Sequence, residues 1–166
     1  MAKISFKNQK EYFLRIDQVL GSVSSEETLK EAVYAGACIV TDKIRENLEK
    51  LSETEYRVLK DGEKFDGIPK GQKRDLADSF GLTPIERDKH GFIHTKAGFD
   101  GYGSYPSKWY PKGVPNQLLA LAVESGSSVR EKTPFVRPAV QATRKMAVEA
   151  MDEVLEDKTI EALTGK

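Results

Sequence analysis

The sequence predicts an α+β fold, in which two long helices plus shorter helices cover one face of a small antiparallel sheet. Two segments, near residues 24–51 and 136–163, repeat apolar residues every three or four positions, which is the period of one helix face. Between them, residues 82–99 alternate apolar and polar side chains around a polar turn, as a β-hairpin does. Together these patterns indicate helices packed on a sheet.

Composition is consistent with a single domain spanning residues 1–166. Lysine plus arginine (26) equal aspartate plus glutamate (26), so net charge provides no attraction to nucleic acid or membrane. The lone cysteine, Cys38, excludes an internal disulfide and is interpreted as a small packed hydrophobe. No run approaches the ~18 apolar residues of a membrane span, and no signal peptide is evident, so we expect intracellular synthesis.

The first residues predict a short strand followed by a helix. Ile4 and Phe6 alternate with polar neighbours, as in a strand. Asn8 and Glu11 have the spacing of a helix cap, and we expect the helix to end at Gly21. One face of this helix carries three apolar side chains, namely Phe13, Ile16 and Leu20.

The second helix is the clearest in the sequence. Ser24 and Glu27 have the spacing of a capping box at its start. Its apolar stripe consists of Leu29, Val33, Gly36, Val40, Ile44, Leu48 and Leu51. Small residues in its middle allow another backbone to come close, and we expect this to be the C-terminal helix; they are Ala32, Ala35, Gly36 and Ala37.

Two stretches predict long loops, at about 52–71 and 100–113, because glycine, proline and charge interrupt any steady period. The first, the charged loop, contains Tyr56 and Phe65. The second, the aromatic loop, contains Tyr102, Tyr105, Trp109 and Tyr110. Two interpretations of the aromatic loop stay open: its rings close the core, or they contact a partner.

The pattern between these loops predicts a short helix over residues 72–80, followed by a hairpin. The hairpin strands, 82–87 and 92–99, flank a polar turn. Pro84 indicates that the first strand is an edge strand or begins late, because proline has no N–H to donate. One face of the second strand carries Ile93, Thr95, Ala97 and Phe99.

The last part of the chain predicts two helices. Residues 116–125 are apolar nearly all round, which favours a short buried helix. Pro138 lies in the first turn of the final helix, where a proline costs least. Pro134 and Pro138 bracket Phe135, and we expect all three to anchor the start of this helix. Its apolar stripe consists of Val136, Val140, Thr143, Ala147, Ala150 and Val154.

Charge divides the final helix and its approach into a basic beginning and an acidic end. The basic part contains Arg130, Lys132, Arg137, Arg144 and Lys145, and the acidic part contains Glu149, Asp152, Glu153, Glu156, Asp157 and Glu161. Acidic side chains near a helix C-terminus oppose the helix dipole, so local stability does not explain this order. Two interpretations stay open: an ordinary solvated face, or attraction between opposite ends of neighbouring copies in a head-to-tail ring.

The residues form no recognisable catalytic constellation. His90 and His94 lie in the predicted turn and strand, where their spacing does not bring them together, and no cysteine or carboxylate is placed beside them as a metal ligand. The glycines of residues 98–103 are not followed by the helix that a dinucleotide-binding loop requires. We therefore predict no catalytic residue, no metal and no cofactor, and we expect a protein that is not an enzyme.

The order of several segments along the chain carries further information. An alanine-rich helix (32–44) is followed by a leucine-containing helix ending in Gly81 and by a strand ending in Ala97-Gly98-Phe99. A helix ending in Glu124-Ser125-Gly126-Ser127 comes after them. Next come Thr133-Pro134-Phe135-Val136-Arg137-Pro138-Ala139 and a long charged helix. With these segments the chain resembles the tail-completion or minor neck (head-tail joining) proteins of long-tailed phages and prophages, the morphogenesis family named after the tenth gene product of a lambdoid coliphage.

The resemblance implies a structural virion protein of the neck or tail, synthesised in the bacterial host cytoplasm. It would complete the tail or join it to the head connector, with the tail terminator, the connector stopper and the tail tube as partners. It would form a homo-oligomeric ring, such as a hexamer, and meet nucleic acid only as DNA passing through the neck channel. Both long loops would be mobile in the free protein and become ordered on assembly.

The residues offered as partner contacts come from the two loops and the basic cluster. They are Tyr102, Tyr105, Trp109, Tyr110, Tyr56, Phe65, Arg130 and Arg137. Two alternatives to the virion protein remain. A small nucleic-acid-binding module would use the aromatic loop with the basic cluster, and an enzyme would use His94 with nearby carboxylates.

Overall fold

The computed structural model describes residues 9–106 and 108–164, and it confirms an α+β fold with two long helices. The helices in these ranges are α1 (Gln9–Val23), α2 (Glu26–Glu49), α3 (Lys70–Ser79), α4 (Asn116–Ser125) and α5 (Val136–Thr164). At 1.5 Å per residue, α2 and α5 are roughly 36 Å and 44 Å long. The strand proposed at Ile4 and Phe6 and the cap proposed at Asn8 lie outside the described residues.

The described strands pair as three two-stranded sheets. The first sheet is parallel and joins β1 (Glu53–Thr54) to β2 (Ile68–Pro69). The others are antiparallel: β3 (Phe80–Leu82) with β6 (Ala97–Phe99), and β4 (Glu86–Arg87) with β5 (Ile93–His94). The predicted polar turn is present, because the Asp88 carboxylate accepts the backbone N–H groups of His90 and Phe92 at 2.8 and 2.9 Å.

Pro84 explains why the predicted hairpin is divided into two ladders. Leu82 pairs with Ala97 and Glu86 pairs with His94, so residues 83–85 on one side face residues 95 and 96 on the other. This one-residue excess is a bulge, and it lies at the proline, which has no N–H to donate. The predicted shared face of the second strand is therefore broken, and Ala97 is exposed.

The two long helices pack antiparallel to each other, through the small residues that the sequence indicates. At Gly36 of α2, an added Cβ would lie 2.9 Å from the Ala147 carbonyl oxygen and would collide with the Met151 side chain of α5. Only glycine permits this approach. The helix α1 lies against the far end of α5, where Arg15 donates a hydrogen bond to the Leu163 carbonyl oxygen at 3.2 Å.

The apolar core lies at one end of the α2–α5 pair, where α3, α4, β3 and β6 cover it. We call this region the compact end. Its buried cluster consists of Ile44, Leu48, Leu51, Ile68, Leu76, Phe80, Phe99, Leu119, Ala120, Val123, Phe135 and Ala139. The opposite end, formed by α1, residues 26–40 of α2 and residues 147–164 of α5, is the helical arm.

Several details of the predicted helices are wrong. Gly21 does not end α1, which continues to Val23. The cap of α2 is Ser25, whose hydroxyl accepts the Thr28 N–H, rather than Ser24. Gly81, expected at the end of a helix, lies in β3. Local spacing places helix ends only to within one or two residues.

Two predicted burial patterns are also wrong. The short helix α4 is not buried all round, because Leu118 and Leu121 are exposed. On α5, Ala139 takes the buried position that the sequence suggests for Val140. In both cases the neighbouring elements cover only one side of the helix, so apolar side chains on the other side remain in solvent.

Candidate functional site

Four of the predicted contact residues meet in one stack, which joins three separate segments of the chain. The Tyr56 and Tyr105 rings lie 4.6 Å apart between centroids at an angle of 11°. Tyr56 also faces Phe65 at 6.2 Å, and the Arg130 guanidinium lies 5.4 Å from the Phe65 ring centroid. The stack therefore connects the charged loop, the aromatic loop and the segment before α5.

Arg130 forms the inner end of this aromatic stack. It is 5% exposed, and its guanidinium donates to the Gly67 carbonyl oxygen at 2.7 Å and to Gln72 Oε1 at 2.6 Å. Burial lowers the pKa of Arg130, yet an arginine remains protonated at neutral pH. A buried cation needs such partners, because burying an unpaired charge is costly. Arg130 therefore fastens two loops together and is not available to an external phosphate.

Backbone pairing beside Arg130 fixes much of the charged loop. The Phe65 N–H donates to the Val129 carbonyl oxygen at 3.0 Å, and the Glu131 N–H donates to the Phe65 carbonyl oxygen at 3.2 Å. Phe65 itself is buried, so it cannot serve as a direct partner contact. The expectation of an irregular stretch over residues 52–71 is wrong at β1, β2 and Phe65. There the backbone pairs with distant segments, and no local periodicity indicates such pairing.

The tip of the charged loop projects from the molecule. Val58 at this tip is 93% exposed. Arg57 pairs with the Glu63 carboxylate at 2.5 Å, and the same carboxylate accepts the Lys60 N–H at 3.0 Å. These two hydrogen bonds lower the pKa of Glu63. The tip is thus a closed turn that presents an apolar side chain to solvent.

The aromatic loop is held against α3, and its rings other than Tyr105 are exposed to solvent. Ser104 donates its N–H and hydroxyl to the Asp75 carboxylate at 2.7 and 2.5 Å. Gly113 adopts a φ of 98° and lies so close to the Gly103 backbone that only glycine fits. Three rings of this loop lie outside the stack and are exposed, namely Tyr102, Trp109 and Tyr110.

Tyr105 is the ring of the aromatic loop that packs inward. An added Cβ on Gly71, at the start of α3, would lie 2.8 Å from Tyr105 Cε2. This contact and the Tyr56 ring cover much of the Tyr105 side chain, which is half-buried. Tyr105 therefore packs on the fold, whereas Trp109 extends into solvent, and a partner contact at Trp109 stays a prediction.

The start of α5 is organised by a residue that the sequence did not single out as an anchor, Glu124. Its Oε2 accepts the Phe135 and Val136 N–H groups at 2.7 and 2.8 Å, and its Oε1 accepts the Arg137 N–H at 3.0 Å. These N–H groups have no partner within the helix, and a carboxylate there also favours the helix dipole. Because Glu124 is distant in sequence from α5, capping rules based on local spacing do not find it.

The Glu124 carboxylate is charged through this capping role. Burial is the largest single influence and raises the pKa of Glu124. The three backbone N–H groups and Arg137 together lower it by a larger amount, so the pKa lies below the ordinary 4.5. Arg137, a predicted contact residue, lies with its Nε 3.7 Å from Glu124 Oε1 and is largely exposed. It is accessible to solvent at the N-terminal end of α5.

The other predicted anchors divide between core and surface. Phe135 is 1% exposed and meets the Phe99 ring edge-on at 6.0 Å, while Asn47 donates to its carbonyl oxygen at 3.0 Å. Pro134 and Pro138 are exposed and flank Phe135 in the chain. The aromatic side chain fills the core, and the prolines contribute through their restricted backbone.

Metal-binding groups do not converge in the described parts of the chain. His90 lies in the exposed turn and His94 is half-buried on β5. Within residues 9–106 and 108–164, no three histidine, cysteine, aspartate or glutamate side chains form a group that could hold a metal ion. None of the helices in these ranges is long and apolar enough to cross a lipid bilayer.

Comparison with known proteins does not assign this chain to a family. Models of known protein families, curated proteins and solved structures all give no match. A function for this chain must therefore be argued from its own residues and the surface they form.

Proposed function

We propose that this chain is a structural virion protein of a phage neck or tail, which completes the tail or joins it to the head connector. The observation that supports this most is the exposure of three aromatic side chains, Tyr56, Tyr102 and Trp109, on loops that are tied to the core. Aromatic side chains on a fixed scaffold are typical centres of protein interfaces. The resemblance in segment order supports the same conclusion.

In this proposal the partners are the tail terminator, the connector stopper and the tail tube, and the protein acts as a homo-oligomeric ring. Ordering on assembly is confined to the parts of both loops that the stack does not hold. These are the tip near Val58 and the segment around Trp109. A largely preformed surface loses less conformational entropy on binding than two mobile loops would.

The test is to delete the gene from the phage or prophage that carries it, induce particle production and examine the particles by electron microscopy. We expect filled heads beside separate tails, or tails of abnormal length. Normal infectious particles from the deletion would overturn the virion function. Restoring infectivity with the wild-type gene controls for effects on neighbouring genes.

A pair of matched variants localises the contact in the same experiment. We expect the gene with Tyr102→Ala and Trp109→Ala to restore far fewer infectious particles than the wild-type gene. Phe92→Ala is the control, because Phe92 is 70% exposed but belongs to the β4–β5 turn. Equal restoration by both variant genes would remove the aromatic loop from the partner surface.

The nucleic-acid-binding alternative loses one of its central residues. Arg130 is buried in the stack, and Lys145 lies 3.4 Å from Glu149. Steeply salt-dependent retention of the purified protein on DNA would favour this alternative over the neck protein, because each phosphate contact releases counterions. We expect no such retention.

A further inference from the structure

Two glycines face each other on the β3–β6 ribbon without a reason inside the fold. Gly81 pairs directly with Gly98, and pairing continues on both sides of them without a bulge. Neither is among the glycines with a positive φ. A Cβ built on either glycine meets no atom within 4 Å. Glycine weakens a strand, and where it is not needed for a bulge it commonly marks the close approach of another group.

The space above these glycines is an open cleft between the ribbon and α4, which we call the glycine cleft. Its volume is about 390 Å³, near the lower end of ligand pockets, so it suits one large side chain rather than a helix. Exposed Pro84 provides an apolar wall, and the Phe99 ring packs into the core next to the glycine pair. Asp100 is the charged residue among those that line it.

Trp109 of the same chain is a large, exposed side chain of the kind that suits the glycine cleft. Trp109 is 82% exposed, and the Lys108 ammonium group lies 5.9 Å from its ring centroid. Lys112 follows three residues later. The loop that carries Trp109 is fixed to α3 at its beginning, through Ser104 and Asp75, and the segment around Trp109 extends from that fixed point. Tryptophans are strongly enriched among interface residues that dominate binding.

We propose that Trp109 of one copy inserts into the glycine cleft of a second copy. The flat backbone at Gly81 and Gly98 receives the indole, and Lys108 and Lys112 approach Asp100. The two contacting surfaces differ, so the contact is heterologous and repeats from copy to copy into a ring or a chain. This inference rests on the homo-oligomer of the proposed function and supplies its contact.

The test uses the purified full-length chain. Sedimentation velocity over a concentration series should show wild-type self-association. Trp109 is the single tryptophan, so its fluorescence reports on this site alone. We expect its emission to shift to shorter wavelength as association proceeds, because the indole leaves water.

Two variants remove the two halves of the contact. Trp109→Ala removes the inserted side chain, and the double variant Gly81→Val with Gly98→Val fills the cleft. Both should be monomeric with unchanged circular dichroism, because the added side chains enter open space and valine suits a strand. Phe92→Ala is the control and should associate as the wild type does.

Mixing the two variants gives the sharpest result. One variant keeps the cleft and the other keeps the tryptophan, so an equimolar mixture should form a 1:1 complex and nothing larger. A wild-type chain that stays monomeric up to its solubility limit would overturn the proposal. So would association that persists in the glycine variant, or emission that does not change on association.

These results are separable from the neck function. Monomeric wild-type protein together with particles that fail in the gene deletion would overturn the second-copy contact and leave the virion function standing. Self-association through the cleft together with normal particles from the deletion would overturn the virion function and leave the second-copy contact standing.

Discussion

The compact end and the helical arm are built on the same two long helices, yet they bury different kinds of side chain. At the compact end the helices bury large apolar groups, such as Ile44, Leu48 and Phe135. In the arm the buried residues of α2 are Thr28, Ala32 and Gly36, and none of the α1 residues whose side chains are described is buried. The same two helices are therefore held together by large buried apolar side chains at one end and by close approach of their backbones at the other.

This difference predicts unequal stability along the molecule. Burial of large apolar side chains dominates the free energy of folding, whereas small residues contribute mainly by allowing contact. Regions with few buried apolar contacts open locally at lower free energy. The compact end should therefore carry the largest mutational effects, and the arm should respond chiefly to changes in helix spacing.

Phe135→Ala should have the largest effect, because it empties the position where α5 meets the core. We expect the free energy of unfolding to fall by about 3–5 kcal/mol, measured by urea denaturation. Phe92→Ala is the control, since an exposed ring should cost less than about 1 kcal/mol. A loss below about 1 kcal/mol at Phe135 would show that it is not a core anchor.

Glu124→Gln should follow, because it removes the charge that receives three backbone N–H groups at the start of α5. We expect a loss of about 1.5–3 kcal/mol at neutral pH, since hydrogen bonds to charged groups are the stronger ones. Glu161→Gln, on the exposed end of the same helix, is the matched control and should change stability little.

The same variant has a defined pH dependence. The folded pKa of Glu124 lies below 4.5, so its contribution is present above about pH 4.5 and is lost as pH falls through the folded pKa. The wild-type advantage over Glu124→Gln should therefore shrink in acid. Hydrogen bonds from Lys43 and Lys50 lower the pKa of exposed Glu46 to about 2. Glu46 is present in both proteins, so its titration does not change the difference between them. A pH-independent difference would contradict the capping role.

Gly36→Ala tests helix spacing in the arm. Overpacking against Ala147 and Met151 typically costs about 1–3 kcal/mol, and the better helix propensity of alanine returns up to about 1. A net loss of up to about 2 kcal/mol is expected by the same denaturation measurement. A gain in stability would show that the helices can separate at no cost and would remove the spacing argument.

Gly21→Ala should have the smallest effect and the opposite sign. Gly21 lies inside α1, and a Cβ there meets no atom within 4 Å. We expect a gain of about 0.5–1 kcal/mol, because alanine loses less backbone entropy in a helix. No change in global unfolding, with slower amide exchange confined to α1, would mean that this helix opens separately from the compact end.

The features that could be predicted from the sequence depend on interactions between residues close together along the chain. Helices α2 and α5 were predictable because their apolar periods reflect a single buried face. The ends were less predictable: Ser24 and Ser25 are equally good caps by composition, and the structure uses Ser25. The site was half predictable, since Tyr56, Phe65, Tyr105 and Arg130 could be named but their stacking could not.

The sequence by itself determined the fold class, the two long helices, the turn at Asp88 and the burial of Phe135. All of these depend on local periodicity, on turn chemistry, or on an apolar residue between two prolines. Only the tertiary structure decided that Arg130 lies buried over Phe65, that Glu124 caps α5, and that Gly81 pairs with Gly98 at the base of an open cleft. Each of these joins residues distant along the chain, and the free energy of such contacts depends on a geometry that no local pattern encodes.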